Sequence, residues 1–188
     1  IGNGAFEDCT SLHYNIYGAV KYLGNKGNPY LVAITTTDTD LAIYEIHNQA
    51  KILASGVFKG CKSLNSITIP DGVTTLGTSA FANCASLTSI TVPDKVTCIR
   101  AYAFQGCTSL KDVTLSSNLE KNEMSAFRDC PSLANIYMKA ETPPSFAYYE
   151  GGFTDSTFTT CKLYVPKGCV EAYRQADVWK KFTTIAEM

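Results

Sequence analysis

The chain has 188 residues, 45% of them hydrophobic and 18% charged, with a net charge of −1 from 16 basic and 17 acidic side chains. That length fits one folded domain with a sizeable core, and the near-neutral balance removes the electrostatic case for nucleic acid or an anionic membrane. No apolar run approaches the ~18 residues a spanning helix needs, so no membrane insertion is expected within this chain.

Residues 1–12 carry the pattern Ala5-Phe6…Cys9…Ser11-Leu12. The pattern returns at Val57-Phe58…Cys61…Ser63-Leu64, at Ala80-Phe81…Cys84…Ser86-Leu87, at Ala103-Phe104…Cys107…Ser109-Leu110 and at Ala126-Phe127…Cys130…Ser132-Leu133. Phe58, Phe81, Phe104 and Phe127 are each 23 residues apart. A fixed period in the twenties signals a solenoid of leucine-rich-repeat type. The expected class is α/β: a strand-rich leucine-rich-repeat solenoid with short helical turns and a parallel sheet on one face. Ile1 precedes Phe6 by five residues, as Leu76 precedes Phe81, so the chain reads as beginning inside a repeat, as a fragment or processed form. It shows no signal peptide, and a targeting segment upstream is compatible with that start.

The period breaks after residue 12, because Phe6 and Phe58 are 52 residues apart, one repeat plus an insertion of 29. Within it, Ala19-Val20-Lys21-Tyr22-Leu23 and Tyr30-Leu31-Val32-Ala33-Ile34 flank the turn-forming Gly24-Asn25-Lys26-Gly27-Asn28-Pro29, which predicts a β-hairpin. Asp38 and Asp40 read as a turn rather than a cation site. Tyr44 and Ile46 restore the register, standing 23 residues before Ile67 and Ile69.

From residue 54 to 139 each unit repeats three parts. Thr78-Ser79 and Ser125 are read as caps of a short helical turn carrying Ala, Phe and Cys. A strand follows, as in Leu87-x-x-Ile90-x-Val92, with its apolar residues inward by alternation. Pro70 and Pro93 end that strand, and a second extended piece follows, as in Val73-x-x-Leu76. The Phe ring of each unit is expected to lie buried under the next. The fourth unit departs from the pattern: Ser116 replaces the Pro, Glu123 the Gly77-type residue, and Asn122 stands where Leu76 and Ile99 sit. A buried Asn without partners costs about 1–3 kcal/mol, so Asn122 is expected to face outward, with Met124 filling the space.

Beyond residue 139 the composition shifts. A loop with Pro143-Pro144, Tyr148 and Tyr149 leads to a last strand, Lys162-Leu163-Tyr164-Val165-Pro166, and a helix over 168–176 whose Val170 and Tyr173, with Trp179 beyond it, face the core. The domain organisation is thus an array over 1–139, with the hairpin insertion at about 13–42, and a C-terminal cap over 140–188 belonging to the same domain.

Five of the eight cysteines (Cys9, Cys61, Cys84, Cys107, Cys130) occupy one repeat position, three residues after the Phe. Equivalent side chains of stacked coils point the same way, into the core, so these read as reduced packing residues. Cys161 and Cys169 lie eight apart and are also read as reduced, while Cys98 stands outside the ladder.

The unit Ile-x-[Ile/Val]-Pro-x-x-Val-x-x-[Leu/Ile]-x-x-x-Ala-Phe-x-x-Cys-x-Ser-Leu resembles the BspA-like leucine-rich repeats of bacterial surface proteins. The ending Cys161-Lys-Leu-Tyr-Val-Pro-Lys-Gly-Cys-Val-Glu-Ala-Tyr-Arg…Trp179-Lys-Lys-Phe182 is similar to the cap of members from gut and oral anaerobes. The resemblance covers nearly the whole chain. It implies export to the extracellular space or cell surface, and binding of matrix proteins or other cells by some members. It implies no shared catalytic site.

The residues themselves point the same way. His13 and His47 lie in no catalytic motif and read as surface or turn histidines; no Cys pair has zinc-ligand spacing, and Gly2-Asn3-Gly4 lacks a dinucleotide fingerprint. No catalytic, cofactor-binding or metal-binding residue is assigned, and no enzyme activity is expected. Binding is the serious alternative. Alternation leaves two outward columns on the strands: Ser66, Ser89, Asp112, Asn135 and Lys162 in one, Thr68, Thr91, Thr114, Tyr137 and Tyr164 in the other. Solenoid faces serve extended recognition, and tyrosine gives contact area at low entropic cost. The candidate partner surface therefore comprises Thr68, Thr91, Asp112, Thr114, Asn135, Tyr137, Tyr148, Tyr149 and Tyr164, for a protein or glycan partner. Thr is also simply a good exposed strand residue, so the alternative is a structural spacer or stalk within a longer surface protein.

Overall fold

In a computed structural model, residues 13–147 and 152–188 are described. Thirteen strands follow in chain order: β1 Asn15–Tyr17, β2 Val20–Leu23, β3 Val32–Thr36, β4 Ile52–Leu53, β5 Thr75–Leu76, β6 Ser89–Thr91, β7 Cys98–Ile99, β8 Asp112–Leu115, β9 Lys121–Asn122, β10 Asn135–Met138, β11 Ser145–Phe146, β12 Lys162–Val165 and β13 Thr184–Glu187. They form two sheets. The expected parallel sheet has the order β13-β12-β10-β8-β6, and a second runs β1-β2-β3-β4-β5-β7-β9-β11. The second arises because the second short extended piece of each coil pairs with its copy one repeat on: Leu53 with Leu76, Leu76 with Ile99, and Ile99 with Asn122. The insertion makes two antiparallel pairings, β1 with β2 and β2 with β3, and β3 then joins the array in parallel with β4.

The Ala-Phe-x-x-Cys segment closes the coil. It forms no helix: consecutive tight turns close through bonds such as Ala80 N–H to Gly77 O at 3.2 Å and Cys84 N–H to Phe81 O at 3.3 Å. Ser79 and Ser125 take left-handed backbone (φ 56° each) and so are not helix caps. Left-handed residues sit two before and two after each Phe, as Gly56 and Gly60, Ser79 and Asn83, Tyr102 and Gly106, and Ser125 and Asp129. With this alternation the Phe amides face the next coil. Phe58, Phe81 and Phe104 donate to Ala80, Ala103 and Ala126 carbonyls at 2.8 Å each, and Phe127 donates to Gly152 O at 2.7 Å. This third ladder answers where the backbone groups of the turn segment are satisfied.

The core follows from this stacking. Phe58, Phe81, Phe104, Phe127 and Phe153 form one column of near-parallel rings with centroids 5.2–5.5 Å apart. Phe153 falls outside the 23-residue spacing, yet it extends the stack into the cap. Beside the rings runs a cysteine ladder: the Sγ of Cys84, Cys107 and Cys130 lies 3.1, 3.2 and 3.2 Å from the carbonyl oxygen of Phe58, Phe81 and Phe104. Each thiol fills a small space and donates a weak bond to the preceding coil. Cys61, Cys84, Cys98, Cys107, Cys130, Cys161 and Cys169 are all free thiols; Cys9 and Phe6 lie outside the described residues.

Asn122 corrects an expectation. It is 1% exposed, with neither Nδ2 nor Oδ1 hydrogen-bonded, whereas Met124 is 38% exposed. The register decides this: Asn122 is paired in parallel with Ile99 on one side and Phe146 on the other, and a one-residue slip would turn Lys121 inward instead. Ser116, at the missing Pro, is also buried, but satisfied: its Oγ donates to Asp94 O at 3.2 Å and accepts from Asn118 N–H at 3.1 Å.

The cap carries two short helices, α1 Thr157–Thr160 and α2 Val170–Gln175. Tyr173 and Trp179 are both fully buried. Their polar tips reach back to the last coil, Tyr173 Oη donating to Ala140 O and Trp179 Nε1 to Pro144 O at 2.7 Å each. Strand β12, expected to be the last, is followed by β13, which pairs with it in parallel.

Candidate interaction surface

The outward columns are built by register. Ser89, Asp112, Asn135 and Lys162 stand side by side across β6, β8, β10 and β12, as do Thr91, Thr114, Tyr137 and Tyr164. Strand β13 extends the columns with Thr184 and Ala186. Ser66 and Thr68 precede them by one coil, and Ile43, bridged to Ser66, begins the first column with 69% exposure. The residues between are anchored below the sheet: Ile90, Val113, Ile136 and Leu163 are at most 3% exposed.

Two contacts distinguish the C-terminal end of this face. The Tyr137 and Tyr164 rings stack at 5.0 Å with an interplanar angle of 10°. In the neighbouring column, Asn135 Nδ2 donates to Asp112 Oδ1 at 2.8 Å. Thr68 and Thr91 are exposed, and Thr114 is half-buried. Tyr148 and Tyr149 lie outside the described residues.

Other polar clusters have structural roles. Asp38 Oδ1 accepts the Asp40 amide at 2.8 Å, an Asx turn. Glu123 accepts from Arg100 Nη1 at 3.0 Å and from Ala101 N–H at 3.1 Å, with the Cys98 thiol 3.7 Å away. Asp94 pairs with Lys139 Nζ at 2.6 Å; that bond and the Ser117 amide hold its carboxyl below the ordinary carboxylate value. His47 is more than a plain turn histidine. Its ring stacks on Tyr30 at 3.8 Å and meets Tyr17 edge-on at 4.8 Å, while its amide donates to Tyr22 Oη at 3.0 Å. This cluster ties Tyr17, Tyr22 and Tyr30 of the inserted hairpin to His47 beyond it, and its members share no spacing that sequence reasoning could use. Among the described residues, no group of three or more His, Cys, Asp or Glu side chains is placed to hold a metal. No described helix is long and apolar enough to cross a membrane.

Stacked coils of about two dozen residues, a parallel sheet of outward-alternating strands and a sealed C-terminal end define a leucine-rich-repeat solenoid. The chain belongs to the BspA-type leucine-rich-repeat family: the pattern described as "BspA type Leucine rich repeat region" matches residues 36–151 in six copies. No curated protein matches the chain. Among solved structures it is similar to a leucine-rich cell-surface protein of Faecalibacterium prausnitzii, with 26% identity over 74% of this chain and a TM-score of 0.53. The pneumococcal vaccine antigen PcpA shares the fold, with 21% identity over 93% of this chain and a TM-score of 0.67. The chain spans 45% and 47% of those two proteins' lengths.

Proposed function

We propose that this chain is the partner-binding repeat region of a bacterial cell-surface protein, engaging a protein or glycan through the outward face of the five-stranded sheet. The face runs from Thr68 and Thr91 through Asp112, Thr114 and Asn135 to Tyr137 and Tyr164. The observation that carries the reading is the Tyr137–Tyr164 stack, standing on strands whose inward residues are locked in the core. The same column holds Thr in the earlier coils; in its place the two half-buried tyrosine rings supply binding area at low entropic cost. The family and the surface-protein neighbour support extracellular display, and the reading assigns no catalytic step.

The test is attachment of purified chain to immobilised matrix glycoproteins and to whole cells, wild type beside Tyr137→Ala/Tyr164→Ala. Loss of attachment in the double variant, with an unchanged melting temperature, is the expected result. Equal attachment by both removes this face as the contact. No attachment by either favours a spacer that displays other parts of a longer protein.

A further inference from the structure

We propose that the tyrosine end of this face takes a carbohydrate rather than a protein surface, an inference that rests on the reading of the face as a binding surface. The ring spacing of 5.0 Å matches the ~4.8 Å between neighbouring strands. The rings therefore stand up from the sheet and stack along the column Thr114, Tyr137, Tyr164, Ala186. One face of Tyr164 is covered by Tyr137. On its other side the column continues with Ala186, whose methyl group is too short to cover a ring, and Tyr164 as a whole is half-buried.

The surroundings of that ring are polar. Lys162 and Thr184 are exposed two residues back along the same strands, and Asn135 is tied to Asp112 beside them. Ammonium, hydroxyl, carboxamide and carboxylate thus line a step across the strands, one group every ~4.8 Å. From Ser66 to Ala186 neither column holds an aliphatic side chain larger than alanine. A protein partner needs an apolar, water-excluding centre into which anchor residues are buried; the large aliphatic side chain of this face, Ile43, heads the first column five strands away from Lys162 and not at the tyrosine end. A single-stranded nucleic acid also stacks on aromatic rings but requires a basic groove, whereas Lys162 here shares its column with Asp112. A pyranose carries an apolar C–H face and a rim of hydroxyls. The Tyr164 ring suits the first, and the neighbouring column suits the second. An oligosaccharide crossing the strands would meet both at once.

The experiment uses the full chain in affinity electrophoresis through gels containing laminarin, yeast mannan, xylan or hyaluronan, with gastric mucin before and after complete deglycosylation as a further pair of gels. Wild type, Tyr164→Ala and a Thr75→Ala control from the second sheet are run together, and their melting temperatures are compared. Retardation by at least one of the polysaccharides, or by intact but not deglycosylated mucin, weakened about tenfold by Tyr164→Ala and unaffected by Thr75→Ala, is the expected result. Retention on deglycosylated mucin equal to that on intact mucin, lost in Tyr164→Ala, overturns the carbohydrate while keeping the binding face. Retardation that Tyr164→Ala leaves intact overturns both the carbohydrate site and the face. No retardation in any gel overturns the carbohydrate and leaves the face to the attachment assay above.

Discussion

Asn122 holds a carboxamide where Leu76 and Ile99 hold aliphatic side chains in the coils before it, and both of its polar atoms are buried without partners. Leaving such atoms unpaired costs about 1–3 kcal/mol. Asn122→Leu is therefore expected to raise unfolding stability by about that amount, read as a higher denaturant midpoint at unchanged slope; a lower midpoint contradicts the description of this site. Cys130 makes a second prediction. Burial, its largest influence, pushes the thiol from its ordinary 9.0 up to about 12. Below pH 9 the thiol keeps its proton in both folded and unfolded chain, so its contribution is constant there. Between about 9 and 12 only the unfolded chain releases the proton, and stability falls by about 1.4 kcal/mol per pH unit for this group. Denaturation midpoints of wild type and Cys130→Ala measured from pH 8 to 11 should converge as pH rises; parallel curves contradict it. Burial as free thiols predicts that Cys84, Cys107 and Cys130 resist alkylation until the chain is unfolded, and then react without a reductant.

At the scale of the element, each coil is held by its neighbours through two sheet ladders, the turn ladder and the Phe column. Removing one ring opens a gap that rings on both sides share. Phe81→Ala should cost about 3–5 kcal/mol and, because repeat arrays are coupled chiefly between neighbours, loosen amide exchange protection in the flanking coils. Uniform loss of protection over the whole chain would contradict that coupling. The Phe column was legible because a residue at a fixed period packs against its own copy, so the period is itself the contact map. Phe153 escaped the same logic, since it follows Phe127 by 26 residues instead of 23. Left-handed backbone was hidden for a different reason. The position held by Gly56 is held by Ser79, Tyr102 and Ser125 in later coils, so no glycine repeat announces it. Asn122 was misplaced because the cost of burying it was weighed without the register of β9, which leaves it no other direction. Strand β13 has no repeat pattern ahead of the structure, and its pairing with β12 is what makes it a strand.

At the scale of the molecule, the repeating residues build a scaffold, and Tyr137 and Tyr164 depart from the Thr column on its outward face. The two outward columns were legible from alternation alone, because β-strands direct successive side chains to opposite faces. The Tyr137–Tyr164 stack was half legible: the sequence places both residues in one column, while the contact needs β10 and β12 to pair across a 27-residue step. Restoring the column's repeating residue isolates this feature without cutting into the core. The most direct measurement is therefore attachment of wild type and of Tyr137→Thr/Tyr164→Thr to the glycoprotein and whole-cell surfaces, with thermal unfolding of both recorded in parallel. Matching unfolding curves and at least about tenfold weaker attachment of the variant are expected. Undiminished attachment by the folded variant would contradict binding through this face.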